Sequence, residues 1–274
     1  MSGPIDMSTR LRAAGLVWAT VLTIASAAFL CGLGTWQMQR KAWKDGLVAS
    51  IAARINAEPI EVVDAAQRMQ TSPDVEYLRV TARGIFLHED ERLLYAPDPR
   101  LGPGYHVFTP LLLSSRMPGP RAGCRDYVLV NRGFVPEALK STDKRRTNRD
   151  ARGDLVVGLA RLPERPGFFT PANDLKNNLW FRRDLAGMAA SLQRPPTPDC
   201  ISGPRAVPFF IDAETEDPRV NPDGWPKGGT TTLVIPNRHL EYALTWYGLA
   251  ATLIGVFVFF AWGRLRSSGT VSSL

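Results

Sequence analysis

The chain has 274 residues and a formal net charge of +7, with a pI near 9.6. Charge alone would permit nucleic-acid binding, but two uncharged apolar runs at opposite ends make an anionic lipid bilayer the better partner. The mean hydropathy of −0.11 averages these lipid-soluble ends with a polar middle of about 205 residues, enough for one ordinary domain with its own core.

The first apolar run extends from Ala13 to about Thr35, and the second from Tyr242 to Gly263 between Glu241 and Arg264. At 1.5 Å per helical residue each crosses a hydrocarbon core of roughly 30 Å. The pattern predicts an α+β membrane protein. A terminal stretch (1–12) leads to one transmembrane helix (13–35). A mainly antiparallel β domain, barrel- or sandwich-like with a few helices, fills 36–241. A second transmembrane helix (242–263) precedes a terminal stretch (264–274). Arg10 and Arg12 with Ala25-Ser26-Ala27 imitate a cleavable signal. The apolar run continues to Leu33, however, and Ala28-Phe29-Leu30 lacks the small residue expected before a lipidated Cys31, so an uncleaved anchor is expected. Gly15, Ala19, Thr23, Ala27 and Cys31 repeat at i+4. With Gly248, Ala251, Thr252 and Gly255 of the second span they suggest close span-to-span packing or docking to another membrane protein. Neither span carries an acid, Lys, Arg or His, which argues against an intramembrane ion path. The two termini share a side, and the basic residues flanking the spans are too evenly distributed to orient them.

Beyond the first span, Lys41 to about Asn56 and Ile60–Met69 read as helices. Leu78, Val80 and Ala82 alternate with Arg79, Thr81 and Arg83 as in a half-buried strand. A His88-Glu89-Asp90 turn then leads into Glu91–Ala96, as in a hairpin. Further strands are predicted at Tyr105–Leu113, Tyr127–Val135, Leu155–Leu162, Val207–Asp212 and Thr230–Ile235, with a short helix over Asp184–Gln193. The Pro- and Gly-rich stretches at 194–208 and 217–229 read as loops.

Candidate chemistry is sparse. His88 among acids reads as a solvated turn, and His106 as a structural strand residue. His239 falls just before the second span, where Tyr242, Ala243 and Trp246 share its helical face. An imidazole over such a wall suits an axial haem ligand, or else an interfacial anchor in the aromatic belt. The run from Lys140 to Arg152, with Lys144, Arg145, Arg146 and Arg149, reads as a solvated loop or as a site for anionic headgroups or an acidic partner. It has no interleaved aromatic residue, which argues against a nucleic-acid platform. Cys124 and Cys200 either pair in an oxidising compartment or are unrelated small residues. No phosphate loop, nucleophile elbow, zinc-protease motif or dinucleotide fingerprint is present. The residues favour a non-enzymatic membrane factor.

Four segments together resemble the Surfeit locus protein 1 family. They are Leu33-Gly34-Thr35-Trp36-Gln37 with Arg40, Lys41 and Lys44; Val130-Asn131-Arg132-Gly133-Phe134-Val135-Pro136; Asn178-Leu179-Trp180-Phe181-Arg182-Arg183-Asp184; and Pro236-Asn237-Arg238-His239 through Tyr247. They occur in the family's order over residues 33 to 263. The resemblance implies an assembly factor for cytochrome c oxidase that assists haem a delivery to, or insertion into, subunit I, with the haem a synthesis machinery as a further partner. It implies cytoplasmic or matrix termini and a domain in the periplasm or intermembrane space. A first span starting near residue 13, with no presequence, points to a bacterial inner membrane. His239 is the implied iron ligand, with Trp36, Gln37, Tyr242 and Trp246 around the macrocycle and Arg238 on a propionate. The alternative is a cofactor-free scaffold that holds an early subunit I intermediate through the small-residue stripe and the β domain.

Overall fold

Each apolar run lies in a long helix without an internal proline. The computed structural model describes residues 15–72, 74–117, 124–145, 154–192, 204–214, 224–229 and 236–270. Helix α1 spans Leu16–Ile55, and its 40 residues reach about 60 Å. The expected helix after Lys41 is therefore the continuation of the span. The last helix covers His239–Thr270, with Pro236 just before its start. Both are long and apolar enough to cross a membrane, and most of their side chains are exposed.

The chain divides into two units, residues 1–50 with 234–274 and residues 51–233. In the first unit the two helices run antiparallel. The covered positions of α1 pass through Leu16, Thr20, Thr23, Ala27, Leu30, Gly34, Gln37, Lys41 and Lys44. Those of the last helix pass through His239, Ala243, Trp246, Ala250, Leu253 and Phe257. Both series alternate steps of three and four, the spacing that keeps one seam facing its partner. This corrects the expected stripe. Thr23 and Ala27 lie on the seam and Ala19 beside it, but Gly15 and Cys31 are exposed. A strict i+4 row advances about 40° per step and leaves the contact. Gly248, Ala251, Thr252 and Gly255 are likewise exposed, and Ala243 and Ala250 are the buried small residues instead.

The second unit is built on eight strands: β1 (Ile60–Glu61), β2 (Arg79–Phe86), β3 (Arg92–Tyr95), β4 (Gly104–Leu113), β5 (Tyr127–Pro136), β6 (Asp154–Arg161), β7 (Leu179–Trp180) and β8 (Ala206–Ala213). Helix α2 (Val62–Thr71) follows β1, and α3 (Leu185–Ser191) follows β7, so the last helix is α4. The strands β2-β6-β8-β5-β4 close on themselves because the far end of β2 pairs with β4, Gly84–Phe86 against Leu113–Leu111. Pairing is antiparallel around this barrel except between β5 and β8. β1 adds in parallel to β2, β3 to β4, and β7 in parallel to β3. The expected β2–β3 hairpin is therefore replaced. After the helical turn His88–Asp90, β3 joins the opposite end of β4. The expected strand Thr230–Ile235 lies outside the described residues.

Alternation assigns the two faces. Val80, Ala82, Val128, Val130, Val156, Val207, Phe209 and Ile211 fill the barrel, and α2 caps it with Val62, Ala65 and Ala66. On the outer face Phe108, Leu129, Trp180, Met188 and Phe210 form a second core under α3. Phe108 and Phe210 meet edge to face at 5.2 Å. Opposite β4, Arg132 and Gly133 form a bulge, because His106 pairs with Phe134 and Phe108 with Asn131. Gly133 has φ +119°, and a Cβ there would lie 2.0 Å from the Lys227 carbonyl oxygen.

Candidate functional site

The exit of α1 and the entry of α4 meet through three contacts, each from a residue of the segments singled out above. Gly34 lets Tyr247 approach, since a Cβ on it would sit 2.7 Å from the tyrosine ring. Thr35 Oγ1 and Tyr247 Oη are 3.1 Å apart. His239 Nδ1 and Gln37 Oε1 are 2.7 Å apart. With the glutamine oxygen as acceptor, Nδ1–H donates, and in the neutral ring the lone pair then falls on Nε2. Nε2 has no hydrogen bond to any described residue. Beyond this pair, Lys44 Nζ donates to the Pro236 carbonyl and Asn237 Nδ2 to Asp45 Oδ1 at 2.7 Å.

Of the residues expected around His239, Gln37 is bonded to it and Trp246 shares its seam, both partly covered. Trp36 and Tyr242 stand outside the seam, each 55% exposed. Arg238 is open to solvent and lies 3.8 Å from Glu241. His239 and Gln37 thus form the ordered centre of the cluster, and Trp36, Tyr242 and Arg238 form its open rim. Among the described residues no group of three or more His, Cys, Asp or Glu is placed to hold a metal ion.

The β domain holds two buried polar clusters that local sequence does not reveal. In the first, Glu91 Oε2 accepts from Arg145 Nη2 at 2.6 Å and from Thr142 Oγ1 at 3.1 Å. Arg132, fully buried, reaches Glu91 Oε1 at 3.4 Å and His88 Nδ1 at 3.1 Å. Two readings are corrected here. His88 is not a solvated turn residue, because it and Glu91 are buried against Arg132, while Glu89 between them stays exposed. Arg145 is not part of a solvated loop, because Glu91 draws it inside; residues 146–152 of that run lie outside the described residues.

In the second cluster, Asp212 of β8 is 3% exposed and accepts at Oδ1 from Asn131 Nδ2 (2.9 Å). Its Oδ2 accepts from Arg161 Nη1 (3.2 Å) and Arg183 Nη2 (3.1 Å). The bulge at Arg132-Gly133 lets neighbouring residues of β5 serve different clusters, Asn131 facing Asp212 and Arg132 facing Glu91. The later segment closes both. Arg183 meets Asp212, and Asn178, at φ +51°, donates to the Glu91 carbonyl at 2.7 Å. Asp184 caps α3 by accepting from Gly187 N at 3.0 Å. His106 faces Phe134, and burial pushes its pKa down, so the imidazole is held neutral. Cys124 is buried and disulfide-bonded; Cys200, its expected partner, lies outside the described residues.

Residues 24–251 match the SURF1 family model. The chain belongs to the SURF1 family. Surfeit locus protein 1 of Mus musculus is 37% identical over 238 residues, covering 84% of this chain and 71% of the mouse protein. The Homo sapiens protein of the same name is 36% identical over 247 residues, covering 86% and 74%. A SURF1-like protein of Monosiga brevicollis is 32% identical over 263 residues, covering 90% and 88%. In this SURF1 family member the four resembling segments pair off. The first and last join the helices, and the middle two meet at Asp212 and Glu91.

Proposed function

We propose that the protein is an assembly factor, not an enzyme, that holds haem a transiently at the ends of its two membrane helices for delivery to subunit I of a haem–copper terminal oxidase. The observation that carries this reading is the 2.7 Å contact of His239 Nδ1 with Gln37. A ligating imidazole has one nitrogen held by an acceptor and the other as a lone pair, and the Gln37 contact supplies the first and leaves Nε2 for the second in the neutral ring. The donor set fits the group. His239 Nε2 would hold the iron, Gln37 would fix the ring, Trp36, Tyr242 and Trp246 would cover the macrocycle, and Arg238 would pair with a propionate. Haem a held there would supply an iron that takes an imidazole nitrogen as ligand.

Membership in the SURF1 family supports the assembly role. The disulfide at Cys124 supports an oxidising compartment for the domain, as in a bacterial periplasm with both termini cytoplasmic. The haem a synthesis machinery would supply the cofactor. The test is the reduced optical spectrum of the chain purified from cells that make haem a. A haem a band that disappears in His239→Ala supports the reading, whereas equal binding and an unchanged spectrum in that variant would refute the ligand assignment. A colourless parent that still retains subunit I would favour the cofactor-free scaffold.

A further inference from the structure

Between β6 and β7 the chain forms a projecting loop fastened on both sides. On the outgoing side Glu164 N donates to Arg183 O at 3.0 Å, and Arg183 N donates to Glu164 Oε2 at 3.1 Å. On the returning side Phe181 N donates to Asn173 Oδ1 at 3.1 Å, and Asn173 Nδ2 to Asp184 Oδ2 at 3.2 Å. Asp174 and Leu179 exchange backbone hydrogen bonds of 2.8 and 2.9 Å. The tip is a turn in which Thr170 N donates to Gly167 O at 3.1 Å and Gly167 N to Thr170 Oγ1 at 3.0 Å. Pro163, Pro166 and Pro171 stiffen its approaches.

The two central residues of this turn are Phe168 and Phe169, 95% and 90% exposed, with rings 5.0 Å apart and edge to face. No large apolar side chain of the two membrane helices is as exposed; the highest among them is Trp18 at 78%. Scattered exposed apolar residues need no explanation, but two adjacent, nearly bare phenylalanines on a pinned turn do. We propose that the Phe168-Phe169 turn is a lipid-insertion prong that seats the β domain on the surface of the bilayer.

Size decides against a protein partner as the primary occupant. Two rings make far less than the roughly 1,000 Å² of a stable protein interface. A bilayer makes no such demand. The domain is covalently tethered to two candidate membrane helices, so lipid is present at high effective concentration and a small apolar insert suffices. Arg165, exposed three residues before Phe168, suits a headgroup phosphate. The fastened base means that little conformational freedom is lost on insertion.

The experiment uses the full chain with Cys31→Ser and Ala172→Cys, spin-labelled at the exposed residue 172, in proteoliposomes of phosphatidylcholine and phosphatidylglycerol. Collision rates are read with oxygen, which concentrates in lipid, and with a water-soluble nickel chelate. Insertion predicts several-fold protection from the chelate with enhanced collision by oxygen, both lost when F168S/F169S is added. Those two rings touch little of the fold, so an unchanged thermal transition should accompany that loss. A label equally open to the chelate with and without the two rings overturns the proposal. So does protection that appears only in native membranes and not with pure lipid, which would assign the prong to a protein partner.

Discussion

Replacing Asp212 with Asn removes one negative charge and changes almost no volume. Its Oδ1 position can still accept from Asn131, but a donor NH₂ would now face Arg161 Nη1 and Arg183 Nη2, which lie 3.2 and 3.1 Å from Oδ2. Arg161 keeps Glu76 at 2.8 Å. Arg183 keeps only the more exposed Glu164 at 3.5 Å among the ion pairs described, so the loss falls mainly on Arg183. Breaking a buried pair costs about 3–5 kcal/mol, and the retained Glu76 pair places this case near 3 kcal/mol. At roughly 2–4 °C per kcal/mol for a domain of this size, the transition should fall by about 6–12 °C. Thermal unfolding of the full chain in detergent, followed by tryptophan emission, measures it, with the fully buried Trp180 as a reporter in the adjoining core. A fall of less than about 2 °C, below what one kcal/mol produces, would show that Asp212 is not the charge that locks the two arginines.

Other expectations follow from single contacts. Gly34→Ala should overpack Tyr247 at a cost of about 1–3 kcal/mol, and adding Tyr247→Ala should recover part of the lost thermal stability. Gln37→Ala should free the His239 ring and weaken haem a binding by about 10–100-fold in an optical titration, as loss of a ligand-orienting partner does. His106 is held neutral by burial, so its folded pKa lies below the unfolded value of about 6.5. The stability it contributes is present above pH 6.5 and is lost as pH falls through that value toward the folded pKa. Unfolding curves between pH 7 and 5 should therefore be flatter for His106→Gln than for the parent.

The spans were legible because their signal is local composition, and β2, β4, β5, β6, β8 and α3 because alternation or capping marks them within a few residues. The sheet order was not. β7 is two residues long, and the parallel joins β1–β2, β3–β7 and β5–β8 leave no periodic mark. His88 and Arg145 were misread for a related reason. Their neighbours in sequence are polar, but the groups that bury them are remote: Arg132 lies 44 residues from His88, and Glu91 lies 54 from Arg145. In the helix pair, counting small residues missed the seam. Gly34 and the Gln37–His239 bond mark it, and these show only when both helices are placed.

The pairing of the four segments leaves a sharper question for His239 than for the other polar residues in them. Asn131, Arg132 and Arg183 are used up in fastening: Asn131 and Arg132 are buried, Arg183 is half-buried, and all three engage carboxylates inside the domain. His239 fastens through Nδ1 only, and a purely structural role would need nothing from Nε2. Asparagine separates the two demands, because its side-chain NH₂ hangs from Cγ much as Nδ1 does and can donate to Gln37, while nothing replaces Nε2. His239→Asn should therefore keep the thermal transition of the parent within about 1 kcal/mol, the worth of one hydrogen bond, and lose the haem a band. Retention of the band would make His239 a fastener like the rest. Loss of both fold and band would be uninformative in this variant alone, but the Gln37→Ala titration would still decide, because it disturbs the ring's orientation and leaves Nε2 in place.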